Sequence, residues 1–369
     1  MDGGKTLVEH FEKINDPRID RTKLHKLSDI LVIGVVGVLC GADAWEDIVF
    51  VAREKEEWLK GFLELPNGIP SADTIARVYA RVSPKELEEA FSSWVRGVIQ
   101  ICDGEIVPID GKRLRASHDH SKGKNAIHMV SAWAQANGVV LGQIKVDDKS
   151  NEITAVPELL KLLEIKGCIV TLDAMGCQKN IAEAILKKEA DYVFGLKGNQ
   201  GSALEATKLY FDTTKIPESN QFETVDNDHG RLETRRYSVA PAADLPELSD
   251  WPGIQSIARV ESTREIKETV SSETRYYIMS ISPDAKTAAA AIRAHWSVEN
   301  SLHWVLDVTF DEDRNRVRRD SAPENLAVVR HLALNLLKKE KTLKTSIKKK
   351  RLKCAMSNDY LTKVLAGAI

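Results

Sequence analysis

No stretch of this chain is apolar for long enough to cross a bilayer. The longest such run, Ile30 to Cys40, has 11 residues, against the roughly 20 that a helical span needs. It reads as a buried helix. The first residues, Met1 to Thr6, lack the basic-then-apolar pattern of a secretory signal, so neither export nor a membrane is expected. Cysteine is scarce. Five residues make an odd number, and no two are spaced CxxC. That argues against a disulfide framework and for a reducing, cytoplasmic compartment. Cys177 is expected to be a buried structural thiol. Net charge is also small, at -2, so the chain as a whole does not advertise a nucleic-acid binder. There is no internal repeat, and no low-complexity segment beyond one lysine tract.

What is present is ordinary for a large globular protein. In 369 residues, 43% are hydrophobic and 29% charged, which supports a sizeable core and two or three domains. The charge is unevenly spread. Residues 301–369 carry +7, concentrated between Lys338 and Lys353. This run is either a solvated face or a patch for a phosphate backbone.

Periodicity divides the chain. Residues 1–102 read as a helical N-terminal domain with candidate helices at 7–14, 23–40, 45–62, 71–81 and 84–101. Ser83-Pro-Lys-Glu86 is a candidate capping box. The break at Pro66-Asn-Gly-Ile-Pro70 gives helix-turn-helix proportions, a weak pointer to DNA. From Gly104 the texture becomes strand-like. Residues 105–109, 126–134, 139–146, 168–172 and 191–196 are strands, with a hairpin turn at Asn137-Gly138 and a polar loop at 118–124. Helices at 152–163 and 180–188 separate the later strands. This order predicts an α/β fold: a mixed sheet with helices packed on it. Residues 103–200 form its first part. Residues 201–281 are a β-rich insertion, and 282–340 the last part of the core. Residues 341–369 are a basic C-terminal tail.

A helix within 282–340 carries the chemistry. Ser282 is its candidate N-cap and Pro283 its first helical position. Ile292, Glu299 and Leu306 fall seven apart, with His295 and Leu302 in the same stripe, so Glu299 is expected on the inward face. A carboxylate there needs a positive partner. Asp110 and Asp173 each follow a predicted strand. Together with Glu299 they form an oxygen donor set for a hard divalent cation, and two such ions suit in-line displacement at phosphorus. Taken alone, an Asp after a strand is ordinarily a turn residue, and an inward Glu can simply pair with an arginine. His295, Glu299 and His303, spaced by four, admit a competing zinc site. Ser321-Ala-Pro-Glu324 is a second candidate capping box, opening an amphipathic helix to about Lys339.

Four motifs carry a family likeness: Asp110-Gly-Lys-Arg113, Leu172-Asp-Ala-Met-Gly-Cys-Gln178, Gly195-Leu-Lys-Gly-Asn-Gln200, and the long run from His295 to Asp313. Together they resemble bacterial insertion-sequence transposases of the DDE type, in the H-repeat-associated group. The likeness covers nearly the whole chain. It implies an RNase H-like core interrupted by a β-rich insertion. It implies that Asp110, Asp173 and Glu299 form the acidic triad and bind two Mg²⁺ ions, for which Mn²⁺ can substitute. The implied reaction is DNA strand cleavage at the element's ends and strand transfer to target DNA. Its implied partners are those DNAs and a second copy of the chain in the synaptic complex, with no membrane and no small-molecule cofactor. Related transposases carry a Tyr-Arg-Glu-Lys pattern around the Glu. Here Ile292, His295, Glu299 and Leu306 occupy those places, which weighs against a hairpin-forming excision route. Phosphate contacts are expected from Lys112, Arg113, Arg115, Lys197, Asn199, His295 and the cluster Arg314, Arg316, Arg318 and Arg319. The cluster's alternative is internal pairing with its neighbouring acids. Trp296 and Trp304 could stack on an unpaired base, with core packing the expected role of at least one. A catalytically silent DNA-binding relative is the alternative reading.

Overall fold

A computed structural model describes residues 6–99, 101–118, 125–147, 151–228, 230–267 and 269–366. The first five residues and most of the expected polar loop, 119–124, lie outside the described residues. In chain order the helices and strands are α1 Leu7–Phe11, α2 Leu27–Leu39, α3 Trp45–Glu54, α4 Glu56–Leu59, α5 Ala72–Arg81, α6 Pro84–Val98, β1 Ile106–Arg113, β2 His128–Ala134 and β3 Val139–Lys145. Next come α7 Glu152–Leu162, β4 Ile169–Leu172, α8 Lys179–Lys187, β5 Asp191–Leu196, α9 Gly201–Thr213, β6 Gln221–Asp228, β7 Arg231–Pro241, β8 Ser256–Ile266 and β9 Thr269–Met279. The chain ends with α10 Ala285–Val298, a π-helical turn Glu299–His303, α11 Trp304–Thr309, α12 Ala322–Lys339, α13 Ile347–Met356 and α14 Asn358–Leu365. The chain is thus mixed α/β, and it gathers into two compact units. The first comprises residues 1–100, 111–149 and 299–369; the second comprises 101–110 and 150–298.

In the second unit, strands run in the order β1-β4-β5-β9-β8-β7-β6. β1, β4 and β5 are parallel; the β2-β3 hairpin and α7 lie between β1 and β4, and α8 joins β4 to β5. β9 then pairs antiparallel to β5, Val193 opposite Met279 and Leu196 opposite Tyr276. The β-rich stretch therefore prolongs the core sheet. The helix α10 lies on this sheet, its Ala288, Ala291 and Ile292 packed in one apolar cluster with Val239, Ala258 and Met279. Its N-terminus differs from the expectation. Asp284, not Ser282, caps it, accepting from the Thr287 N–H at 2.8 Å and the Thr287 hydroxyl at 2.5 Å. Asp binds the free N–H groups at least as well as Ser, and its charge suits the helix dipole.

The first unit is built around α2 and α12. Every residue of α2 is buried, as its apolar run predicted. Apart from half-buried Glu324, α12 is buried from Ala322 to Leu337, so it is a central helix rather than an amphipathic one. Its two buried asparagines bond to backbone. Asn335 exchanges two 2.8 Å bonds with Val140 of β3, and the Asn325 amide donates to Tyr79 O and Val82 O. β2 and β3 form the expected hairpin, with Gly138 at φ +67° supplying the turn conformation that other residues resist. Neither candidate capping box is complete. Ser83 accepts from the Glu86 N–H, but the Glu86 carboxylate turns to Asn15. Ser321 adopts a helical conformation and makes no side-chain cap bond.

Glu88, on α6, is fully inside the first unit. Its Oε1 accepts from Gln143 N–H and Ser92 Oγ, each at 3.0 Å. Burial nevertheless dominates and pushes its carboxyl up to about 8. An acid whose folded value exceeds its unfolded value of about 4.3 holds its proton better when folded. Stability is then lost as pH rises from the unfolded value to the folded one. Glu88→Gln is accordingly expected to raise stability at pH 9, on the order of 1–3 kcal/mol, and to change it little at pH 5. Urea unfolding at the two pH values checks this; an equal effect at both would refute it.

Candidate active site

Two of the three candidate acids lie in the second unit. Asp110 is half-buried within β1, and the strand continues to Arg113, past the expected end at Ile109. Asp173 follows β4 directly and is exposed. β1 and β4 pair Ile106 with Ile169, Val107 with Val170 and Pro108 with Thr171. Continuing that register by two residues sets Asp110 level with Asp173, on neighbouring strands about 4.8 Å apart. Two carboxylates at that spacing repel and suit a shared hard cation.

The loop after Asp173 is held from several sides. Asp173 Oδ1 accepts the N–H groups of Met175 at 2.9 Å and Gly176 at 3.2 Å. This is the turn role expected of an isolated aspartate, and it fixes the carboxylate's orientation. Asn199 Nδ2 donates to Ala174 O at 2.8 Å, and Gln200 Nε2 to Cys177 O at 2.9 Å. A Cβ on Gly195 would stand 3.3 Å from the Ala174 nitrogen and 3.8 Å from the Asp173 Cα, so glycine lets β5 pass close to this loop. The motif Gly195 to Gln200 is thus a brace. Asn199, expected at a phosphate, spends its amide on the brace, whereas Lys197 is exposed. Cys177 beneath the loop is fully buried, and burial pushes its thiol up to about 12. Asn199→Ala is expected to lower the unfolding free energy by about 1–2 kcal/mol, because Ala174 O loses its donor. An unchanged urea midpoint would show that the bond contributes nothing.

His295 and Trp296, at the end of α10, belong to the same unit. His295 is half-buried, and its Nδ1 lies 3.1 Å from Thr171 Oγ1, two residues before Asp173. Burial lowers its pKa below the ordinary value even though Asp173 pulls the other way. A neutral imidazole engaged with Thr171 is a poor phosphate contact, so the geometry does not favour the DNA contact expected of His295. Trp296 is 37% exposed, with the Arg275 guanidinium 4.3 Å from its ring centroid.

Glu299 lies in the first unit and differs from the sequence reading. It opens the π-helical turn Glu299–His303 and is exposed. Ile292 and Leu306 are buried as the seven-residue stripe requires, at 4% and 1% exposure. The buried line runs from Ile292 through Val298 and Leu302 to Leu306, so Glu299 lies beside the stripe rather than in it. Such π turns recur at functional sites, and no Gly or Pro in the run signals this one. Trp304 is also outside the core, at 57% exposure. The expectation that one of the two tryptophans fills the core is therefore overturned.

Lys112 is drawn inward rather than toward solvent. Its ammonium bonds to the Asp307 carboxylate and to Glu312 Oε2 at 2.6 Å. Arg113 is exposed. In the arginine cluster, Arg318 Nε donates to Ala116 O. Arg314 and Arg319 stand 3.8 and 3.9 Å from Asp311 and Asp320. Arg316 and Arg319 are exposed, and with Arg318 they line an open cleft of about 500 Å³ shared with Asp43, Glu46 and Asp47. The cluster is thus partly self-neutralised. Among the described residues, no group of three or more His, Cys, Asp or Glu side chains is gathered to hold a metal ion. The level pair Asp110 and Asp173 fits a divalent cation as a partial donor set. No described helix is long and apolar enough to cross a membrane.

Family models match the chain from residue 8 to residue 336. Residues 8–95 match a region described as DDE_Tnp_1-associated, and residues 96–336 match a transposase DDE domain. The chain belongs to the DDE transposase family. Among its relatives is "Putative transposase YncI" of Escherichia coli O157:H7, 45% identical over 98% of this chain and 95% of that protein. Another is "H repeat-associated putative transposase YhhI" of E. coli K12, 43% identical over 99% of this chain and 98% of that one. The H-repeat-associated likeness seen in the motifs is therefore correct. A piggyBac transposase synaptic complex with hairpin DNA aligns over 97% of this chain and 76% of that one. At 12% identity and a TM-score of 0.43, that likeness adds nothing to the fold assignment.

Proposed function

We propose that this family member is an active transposase that cuts DNA at the ends of its own insertion sequence and joins the freed 3′-hydroxyl to target DNA. The observation that carries the reading is the level pair Asp110 and Asp173 on parallel strands of a DDE-family chain. In this reading Asp110, Asp173 and Glu299 are the catalytic acids of an RNase H-like core formed by residues 103–200 and 282–340. Residues 201–281 are its insertion, 1–102 a helical domain able to contact DNA, and 341–369 a basic segment. The three acids hold two Mg²⁺ or Mn²⁺ ions. When bound, such ions activate an attacking oxygen and stabilise a leaving one at phosphorus.

The chain's own residues divide the remaining work. The Asp173 turn and the Asn199–Gln200 brace keep one carboxylate in a fixed pose, which limits reorganisation during reaction. Exposed Arg113, Lys197, Arg316 and Arg319 supply phosphate contacts, which set register on DNA without reading sequence. Lys112, His295 and Arg318 are engaged with internal partners and steady the segments they stand on. Exposed Trp296 and Trp304 offer faces for an unpaired base. Two DNA ends in one synaptic complex call for two copies of the chain, and the protein acts in the cytoplasm.

The test is direct. Purified protein is incubated with DNA bearing its element's terminal repeats, with Mg²⁺, Mn²⁺ or EDTA. Nicks at the repeat ends that require a divalent ion are expected. Specific binding without cleavage under either ion would instead identify a silent DNA-binding relative.

A further inference from the structure

Four ionised groups meet in the first unit. The Lys112 ammonium bonds to the Asp307 carboxylate and to Glu312 Oε2. The Glu312 side chain is only 1% exposed, and its Oε1 stands 3.7 Å from Nη1 of Arg330, itself 3% exposed. Two cations and two anions balance. Balance alone is no reason to keep such a cluster, because apolar replacements of buried ion sets are often neutral or stabilising. What a buried set does provide is a fixed arrangement, since any misplacement leaves a charge uncompensated.

The positions of the members are informative. Lys112 stands two residues beyond Asp110, and Asp307 and Glu312 stand on and just after the helical run that Glu299 opens. The same two segments are tied again beside the cluster. Arg115 stands 3.3 Å from Asp313, and Arg318 Nε donates to Ala116 O at 3.1 Å. Three independent side-chain links thus bind the chain leaving Asp110 to the chain leaving Glu299. Their chemistry is unlike a DNA contact, since Lys112 is only 11% exposed at its side chain.

We infer that Lys112, Asp307 and Glu312 form a positioning clasp that ties together, within the first unit, the segment that follows Asp110 and the segment that follows Glu299, rather than a phosphate-binding site. The inference rests on the proposed assignment of Asp110 and Glu299 as catalytic acids. Lys112 acts through Asp110, and Asp307 and Glu312 act through Glu299.

End-cleavage rate and DNA affinity, measured separately on the full-length protein, test it. Lys112→Met and Asp307→Asn are each expected to slow cleavage on the order of 100-fold, as small misplacements of reacting groups do. Affinity for end DNA and its salt slope should stay unchanged. Lys112→Arg should recover most of the rate, because it keeps the charge. If Lys112→Met fails to fold, the half-exposed Asp307→Asn and the charge-balanced Lys112→Met/Glu312→Gln carry the test, with the same expectation of slow cleavage and intact binding. A Lys112→Met protein that cleaves bound DNA normally but loses affinity, with a salt slope reduced by about one, would overturn the clasp in favour of a phosphate contact. Normal cleavage by Asp307→Asn would overturn it too. Asp173→Asn separates the two levels. If wild type cleaves, Asp173→Asn does not and the clasp variants do, only the clasp fails. If wild type never cleaves, the catalytic reading falls and takes the clasp with it.

Discussion

Deleting residues 341–369 is expected to unfold the first unit, not merely to weaken DNA binding. The lysine tract looks like a detachable tail in sequence, but its helices are docked. Cys354, Leu361 and Leu365 are completely buried. Lys350 is buried and donates to Leu337 O at 2.8 Å and also to Glu340 O. Arg351 is buried too. Its guanidinium donates to Val38 O at 3.0 Å and to Thr309 O, stands 3.3 Å from Asp43, and lies 4.4 Å from the Phe310 ring centroid. It therefore closes the carbonyl end of α2 and the end of α11 together. Arg351→Met alone should cost on the order of 3–5 kcal/mol, since it leaves those carbonyls and Asp43 without their cation. Removing the whole segment also uncovers several fully buried side chains, each worth about 2–5 kcal/mol, more than the margin of most domains. Urea unfolding followed by circular dichroism reads both effects, and a truncated protein with a wild-type midpoint would refute the docking. The nucleic-acid role of the tract is better tested at its exposed residues Lys348, Lys349 and Lys353. Replacing all three with Gln should leave the fold intact and, if they meet phosphates, reduce the salt slope of DNA binding by about 2–3.

Asp173→Asn and Glu299→Gln are expected to abolish end cleavage while leaving folding and DNA binding intact. The structure makes these unusually clean substitutions. Asn keeps the Oδ1 that accepts from Met175 and Gly176, so the turn survives. Glu299 is exposed, so the neutral isostere disturbs no core. What each change removes is one negative charge from the donor set, and groups that act as a unit lose most of their effect together. The loss should reach about 10³–10⁴-fold, and combining the two should add little. Cleavage that survives either change would sink the assignment of that acid. Affinity that falls in step with cleavage would show a DNA-binding role instead.

Much of this chain was legible before any coordinates. The apolar run at 30–40, the Asn137-Gly138 hairpin, the strand at 191–196 and the Ser71 and Ser83 helix starts all appear where local patterning puts them. These features are set by interactions within a few residues, so the sequence carries them directly. The motifs also sufficed to place the chain among DDE transposases, which the family models bear out. What the sequence could not determine are the features that depend on distant partners. The exposure of Glu299 depends on which neighbouring line of the helix, Val298 and Leu302, packs inward, and the π turn that follows has no local signal. The roles of Lys112, Asn199 and His295 depend on Glu312, Ala174 and Thr171, each remote in sequence. A cation's type and spacing are identical whether it faces phosphate or an internal carboxylate, and only burial separates the two. The sequence by itself determined most element types and the family and proposed the candidate acids, but it placed residues 201–213 in a β-rich stretch and 347–356 in a tail where the chain forms α9 and α13. The tertiary structure alone decided which charged residues face solvent and which are spent on holding the site.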